Sequence, residues 1–395
     1  MLLAVTGKPN SGKTTFFSAA TLVDAEISSR VFTTIKPNRG ITYVRTECPC
    51  KAGKKCNPKN SKCIDGIRLV PVQLIDTAGL VPDAHKGRGL GNQFLSDIML
   101  ADALIHVVDI SGSSDADGNI VEAGSHDPKK DIEFLEKEID FWMLSLLNKI
   151  MMKRASMSRE EFLDDIANQF TGLGIDKNIS GKLAEGLTQK SSEEELMNFI
   201  AALREASKPM LIAANKADIK GSEEIMQKIS VSKKIIPCCA EAELALRRAD
   251  ERGIIKYVPG SSDFEIMKEK RMTSEGRIEA LDEKHKKALE FIKELLQKHG
   301  STGIQKVIDT AVFSLLETIV VYPVENEHKW SDKKGNVLPD AFLMRSGSTA
   351  LDLAYKIHED IGKKFISAVD ARTGRHIAGN YVLKDGDIIS IKSGR

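Results

Sequence analysis

Lys13 and Thr14 end the string GKPNSGKT, Gly7 to Thr14, which fits the spacing G-x-x-x-x-G-K-[ST]. It lies between the apolar run LLAVT at residues 2–6 and the helical run KTTFFSAATL, the setting that gives such a string its meaning. The chemistry these residues share is phosphate binding. Glycines let backbone N–H groups close around an anion at a helix N-terminus. Lys13 would hold the β- and γ-phosphates and Thr14 would ligate Mg²⁺. Asn10, Ser11, Gly12 and Thr15 complete the loop that would line the ligand.

Two further strings extend this chemistry. DTAG, Asp76 to Gly79, follows an apolar strand ending at Ile75. Alone it is an ordinary Asp-and-Gly turn. After a phosphate loop it reads as a sensor, with Asp76 contacting Mg²⁺ directly or through water and the Gly79 amide meeting the γ-phosphate. NKAD, Asn215 to Asp218, follows the strand MLIAA. Asp218 can accept hydrogen bonds from N1 and the exocyclic amine of guanine. Adenine presents the opposite polarity there and would leave the carboxylate unpaired. Asn215 and Lys216 would brace that loop and cover the base. In PCCAE, the amide near Ala240 falls where a guanine oxygen would sit. These motifs specify GTP and GDP as ligands.

The segment VFTTIKPNRG occupies the place of a switch loop. Thr34 is the candidate sensor of γ-phosphate and Mg²⁺, with Thr33 its neighbouring alternative and a plain surface pair the simplest one. Lys13, Thr34 and Gly79 form the candidate catalytic set. After Gly79 stands Leu80, where many GTPases keep a water-positioning glutamine. His85, a loop histidine with an ordinary pKa of ~6.5, is a candidate base, although phosphoryl transfer rarely needs a strong one.

A different chemistry is offered by CPCKAGKKCNPKNSKC. Cys48, Cys50, Cys56 and Cys63 could close a tetrahedral Zn²⁺ site. The first pair is C-x-C, tighter than the usual C-x₂-C, and no second knuckle accompanies it. Reduced thiols and a conditional disulfide remain alternatives, and the lysines between the cysteines could touch phosphate backbone or simply be solvated.

The elements that must position these residues follow an α/β pattern. Strand-like runs at Gly40–Arg45, Arg68–Ile75, Ala103–Asp109, Pro209–Ala214 and Ile235–Cys239 alternate with helices, which predicts a doubly wound, mostly parallel sheet of P-loop type. No strand candidate lies between Ile110 and Lys208. Ile132, Leu135, Ile139, Trp142, Leu146 and Ile150 form a helical stripe, and Ser192 with Glu195 makes a capping box. The charged stretch Lys268–Lys287 reads as helix. From Thr318 strands surround the capped helix STALDLAYKIHEDIG, the pattern of a small α+β domain. The expected organisation is 1–124 and 208–315 for the two parts of the nucleotide domain and connector, 125–207 for a helical insertion, and 316–395 for the C-terminal domain.

Composition excludes several classes. The chain has 395 residues, 42% hydrophobic and 29% charged, with a formal net charge of +1, so no global field drives it onto nucleic acid or membrane. It shows neither signal peptide nor membrane span, which predicts a cytoplasmic protein with reduced cysteines. Nothing demands more than a monomer.

Together the P-loop GKPNSGKTTFFSA, the switch segment FTTIKPNRG and the long DTAGLVPDAHKGRGLGNQFL resemble the Obg-related translation GTPases, in the archaeal form of their YchF-like branch. The C-terminal segment resembles a TGS domain, a β-grasp module. The resemblance covers nearly the whole chain, least tightly at residues 45–67 and in the helical insertion. It implies a slow GTPase that engages the ribosome or ribosomal RNA. It also implies that Leu80 is not a damaged catalytic residue, since this family commonly keeps a hydrophobic residue there. Asn10 is similar to the residue that binds K⁺ in cation-dependent GTPases, and it could equally only shape its loop. An ATP-hydrolysing regulator and an RNA-binding scaffold with a structural nucleotide site are the rival readings. The intact Asn215, Lys216 and Asp218 favour GTP.

Overall fold

A computed structural model describes residues 1–22, 38–80, 95, 98–152, 157–188, 190–229, 234–267, 270–272, 278–280 and 283–394. Thr33, Thr34 and His85 lie outside the described residues. The chain divides into two compact units. One comprises Leu2–Gly40 and Gln73–Val307, the other Ile41–Val72 and Ile308–Arg395 together with Met1.

The larger unit is built on parallel strands β1 (Leu2–Thr6), β4 (Ile67–Asp76), β5 (Ala103–Asp109), β6 (Met210–Asn215) and β7 (Ile235–Pro237). All seven positions of β5 and all six of β6 are buried, which is why both read as unbroken apolar runs. With β2 (Asn38–Glu47) beside β4, the order is β2-β4-β1-β5-β6-β7. Leu3 pairs with Leu74 on one side and Ala103 on the other. The chain therefore leaves β1 for opposite flanks, and the crevice at such a reversal, beyond the strands' carboxyl ends, is where ligands bind in open α/β sheets. The phosphate loop, Asp76, Asp109, Asn215 and Cys238 all follow or end these strands at that edge.

Among the described residues, four helices occupy the region between β5 and β6: α2 (Pro128–Met151), α3 (Arg159–Thr171), α4 (Lys177–Ala184) and α5 (Glu193–Ser207). Each begins at a side-chain cap, from Asp127, Ser158, Asp176 and Ser192, and the two serines form full capping boxes with Glu161 and Glu195. Their apolar faces share one core with Ile75, Leu80, Ile98 and Leu104 of the sheet region. Arg204 of α5 grips Asp140 of α2 through Nε at 2.6 Å and Nη2 at 3.3 Å, a two-point contact that sets the helix pair. Further on, α6 (Ala240–Glu251) sends Arg247 to the carbonyls of Ala19 and Ala20 at 2.9 and 3.0 Å. These carbonyls end α1 (Lys13–Thr21), the helix that follows the phosphate loop, and the cation suits that end of its dipole.

One sequence expectation is overturned here. Within Lys268–Lys287, residues Lys270–Met272 and Ile278–Ala280 pair as antiparallel strands, and helix α7 (Glu283–His299) begins only afterwards. A run of charges without an apolar period leaves strand and helix locally open, and pairing decides.

The smaller unit contains a mixed sheet of β8 (Thr318–Val324), β9 (Phe342–Arg345), β10 (Phe365–Asp370), β11 (Arg375–Ile377) and β12 (Ile388–Ser393), ordered β9-β8-β12-β10-β11. Helix α8 (Ala350–Ile357), opened by a Thr349–Asp352 capping box, packs Leu353 onto Val321, Ala368 and Ile389. The cysteine hairpin belongs to this unit. Its strand β3 (Lys62–Ile64) turns back through Asp65 and Gly66, both at positive φ, into the first half of β4. That is a two-residue turn whose twist matches the strands. The preceding loop lies along residues 337–341: Asn57 and Lys59 donate backbone N–H groups to Val337 and Pro339, and the Asn60 amide bridges both polar groups of Ala341.

The two units share one local turn. SDADGNI at 114–120 and SDKKGNV at 331–337 both close a bridge between their end residues. In both, the aspartate carboxylate accepts the asparagine N–H at 2.8 Å, and the glycine carries φ near 90°, at 90° and 84°. Among the described residues no helix is long and apolar enough to cross a membrane.

Candidate functional site

The crevice beyond β1 gathers the motif residues. Gly12 sits at φ 92°, and a Cβ there would come within 2.2 Å of Asn215 Nδ2, so no other residue fits. Asn215 itself is a two-sided clamp. Its Nδ2 donates to Ser11 O at 3.0 Å, and its Oδ1 accepts the Ala240 N–H at 3.0 Å. One side chain thus ties the phosphate loop to the loop after β7. A guanine oxygen at Ala240 would share that N–H with Asn215.

Lys13 is buried, and its Nζ donates to Lys8 O at 2.7 Å. Burial brings its pKa down to about 8, although the charge of Asp76 works the other way. Asp76 is fully buried, and burial pushes its carboxyl up against the opposing pull of Lys13. Its Oδ2 accepts from Thr14 Oγ1 at 3.0 Å, while Oδ1 is buried without a hydrogen-bond partner among the described residues. Both charges are therefore under-compensated. A phosphate anion at Lys13 and a divalent cation at Thr14 and Asp76 would relieve both, so this donor set fits Mg²⁺ and a nucleotide.

Leu80 explains itself once placed. Its N–H donates to Gly7 O at 3.2 Å, and its side chain, 2% exposed, belongs to the core shared with the helices. It packs the sensor turn down instead of facing the crevice. Asn10, at φ 58°, donates through Nδ2 to Gly118 O at 2.8 Å, which fixes the phosphate loop to the first of the two Asp-Gly-Asn turns.

Three participants were not found in the sequence. Asp109, fully buried at the end of β5, accepts from Ser111, Ser113 and Ser114 and pairs with Lys216 Nζ at 2.8 Å. Burial alone would raise its pKa, but Lys216 and Ser111 outweigh it and hold the carboxyl below its ordinary range. Asp109 thereby holds the Lys216 ammonium at the edge of the loop. The polar end of VVD was a readable signal. Lys8 and Asp131 had none: Lys8 Nζ reaches Ser114 O at 2.7 Å and Asp131 at 2.8 Å, joining the phosphate loop to the first turn of α2. Asp218 is half-buried beside a cleft of about 350 Å³ bordered by Ala217, Gly221, Phe291, Leu295 and Lys298. The four hairpin cysteines lie apart from this crevice in sequence and unit, with their sulfurs gathered within 4.8 Å.

Comparison with known proteins gives three family matches. Residues 2–149 match the 50S ribosome-binding GTPase model, 213–326 the G4 motif-containing domain of Obg-like GTPases of the YGR210-like type, and 334–393 the TGS domain. An uncharacterized GTP-binding protein of Methanocaldococcus jannaschii is 48% identical over 401 residues, 99% of each chain. The ribosome-binding ATPase YchF of Bacillus subtilis is 28% identical over 418 residues, 98% of each. Among solved structures, a GTP-binding protein from Pyrococcus horikoshii OT3 superposes with a TM-score of 0.77 at 37% identity, covering all of both chains. The YchF GTPase of Schizosaccharomyces pombe, at 19% identity, TM-score 0.54, and coverage of 99% of this chain and 97% of that one, shares the fold.

Proposed function

This chain belongs to the Obg-related, YchF-like family of GTP-binding proteins, and from that premise we propose that it is a molecular switch that binds GTP and hydrolyses it to GDP and phosphate. The observation that carries the reading is the Asn215 clamp. It couples the loop that would hold phosphate to the loops that would hold the base, so one ligand spanning both is recognised as a unit.

In the proposed cycle Lys13 exchanges Lys8 O for the β- and γ-phosphates, and the Gly79 amide meets the γ-phosphate. Asn10, Ser11, Gly12 and Thr15 line the phosphates, and Asp218 selects guanine. Thr14, Asp76 and Thr34 would hold Mg²⁺, which would supply charge neutralisation between the phosphates. Leu80 is spent on the core, so orientation of the attacking water falls to another group. K⁺ near Asn10 and a partner are the two sources. The relatives named ribosome-binding ATPase point to the ribosome as that partner, and our reading keeps the protein a cytoplasmic monomer. A Zn²⁺ ion at the cysteine hairpin would be structural and separate from this chemistry.

The same names favour one second reading, ATP as the substrate. GTP hydrolysis measured in K⁺ and in Na⁺, with and without large ribosomal subunits, separates these ideas. We expect K⁺ and subunits each to raise the rate, and GTP to displace a labelled guanine nucleotide far better than ATP. Equal rates in the two salts remove the K⁺ role. ATP binding at least as tight as GTP replaces the guanine reading. Partner affinity that is the same with a GTP analogue and with GDP turns the switch into a scaffold.

A further inference from the structure

The cysteine hairpin is unused by nucleotide chemistry, yet it is tightly built. Cys48 caps a single 3₁₀ turn, Pro49–Ala52, and Cys50 lies inside it. Cys48 N–H donates to Gly66 O at 2.9 Å, and Gly53 N–H returns to Cys50 O at 3.0 Å. This turn folds the short C-x-C spacing so that both sulfurs reach one point, which the usual C-x₂-C achieves with one residue more. Cys63 arrives from β3 and Cys56 from the loop between.

Cys48 Sγ is 4.0 Å from Cys56 Sγ, Cys50 Sγ is 3.7 Å from Cys63 Sγ, and all four lie within 4.8 Å of one another. Thiolates at about 2.3 Å around a tetrahedral zinc have sulfur–sulfur edges of about 3.8 Å. Two separate disulfides would instead draw the sulfurs into pairs at about 2.05 Å.

A second observation is independent of the sulfurs. Arg68 stands directly opposite Cys63 in the β3–β4 pairing, so the two side chains leave the same face. It is fully buried. Its Nη1 donates to Ser61 Oγ at 3.0 Å and its Nη2 to Leu338 O at 2.9 Å, and it lies 5.3 Å from the Tyr322 ring centre. Its Nε has no hydrogen-bond partner among the described residues, and the carboxylate of Asp340 feels its charge without contacting it. A guanidinium taken from water without a counter-charge in contact is costly. Four neutral thiols offer none. Four thiolates on a divalent ion carry a formal double negative charge, beside Arg68 and under the lysines of the loop.

We propose that Cys48, Cys50, Cys56 and Cys63 bind one Zn²⁺ as a structural tetrathiolate, charge-balanced by Arg68, which holds the hairpin along residues 337–341 of its own unit. The ion sets the loop that carries Asn57, Lys59 and Asn60, and these make the contacts with Val337, Pro339 and Ala341. The site shares no residue with the nucleotide crevice.

The test uses the full-length protein purified under reducing conditions. Elemental analysis should give one zinc per chain, released by a mercurial thiol reagent. Exchange with Co²⁺ should give the visible bands of a tetrahedral thiolate complex. Cys56→Ser should lose the metal while nucleotide binding persists. Arg68→Met should weaken metal retention by roughly ten-fold or more, and Arg68→Lys should restore most of it. Folded, reduced protein without zinc, zinc retained in full by Cys56→Ser, iron in its place, or a mass showing disulfides would each overturn the proposal. If Arg68→Met fails to fold, the Co²⁺ spectrum of the unmutated chain and the Cys56→Ser metal content still decide.

Discussion

The turns SDADGNI and SDKKGNV have the same conformation and opposite surroundings. In the first, Gly118 is pressed against the phosphate loop, where an added Cβ would lie 2.7 Å from Pro9 Cβ and 2.8 Å from Pro9 O. In the second, a Cβ on Gly335 would meet nothing within 4 Å. Asn10 draws on the first turn through Gly118 O. Lys59 of the cysteine hairpin draws on the second through Asp332 at 2.6 Å. A turn of one design is thus a wedge, its glycine buried, beside the phosphate loop and a polar hook beside the hairpin. The nucleotide side is held by packing, the hairpin side by surface polar contacts and, as proposed, by metal.

Four mutational tests sharpen or break that contrast. The largest effect is expected for Leu80→Gln. Restoring the residue common in other GTPases should destabilise the larger unit by about 3–5 kcal/mol, through lost packing and a buried amide, and should not accelerate hydrolysis. A stable, faster Leu80→Gln protein would show that this turn is not anchored by packing.

Next is Lys216→Met, which strands the buried Asp109 on serine hydroxyls and the Ser111 N–H and should cost about 2–4 kcal/mol at neutral pH. Because the folded pKa of Asp109 is depressed, this stabilisation is fully present above the ordinary aspartate pKa and fades as pH falls through the folded value. Denaturation curves of the two proteins should therefore converge below about pH 4. A gap that persists in acid would assign the loss to something other than the ion pair.

The turns themselves come third. Gly335→Ala should cost roughly 1–2 kcal/mol, the penalty of left-handed backbone, and leave nucleotide affinity unchanged. Gly118→Ala carries the same penalty and must also displace Pro9, so it should cost more and weaken GTP binding about ten-fold. Equal behaviour of the two would erase the distinction between wedge and hook. The smallest effect is expected for Lys59→Met. Lys59 and Asn336 hold Asp332 below its usual range, so this variant should be slightly less stable at neutral pH and indistinguishable from the parent in acid.

Much of the larger unit was legible because its signals are short. The run Ala103–Asp109 reads as a strand and is one, and Ser192 with Glu195 caps the helix it was read to cap. The Asp65-Gly66 hairpin turn is an equally local signal, carried by two residues at positive φ. The paired strands inside Lys268–Lys287 are not legible in the sequence, because charge without period carries no preference.

What the sequence determined by itself is what neighbours along the chain decide. Glycine at positive φ, an aspartate accepting the N–H four residues on, and a phosphate loop between strand and helix need no distant partner. What only the tertiary structure decided involves groups far apart in the chain. Asn10 and Gly118 are 108 positions apart, Lys216 and Asp109 are 107, and Arg68 and Leu338 are 270. Whether Leu80 turns toward the crevice or into the core, and whether Arg68 is a surface cation or the buried neighbour of four thiols, depends on which surfaces are covered. Burial is a property of the packed chain, and no local window contains it.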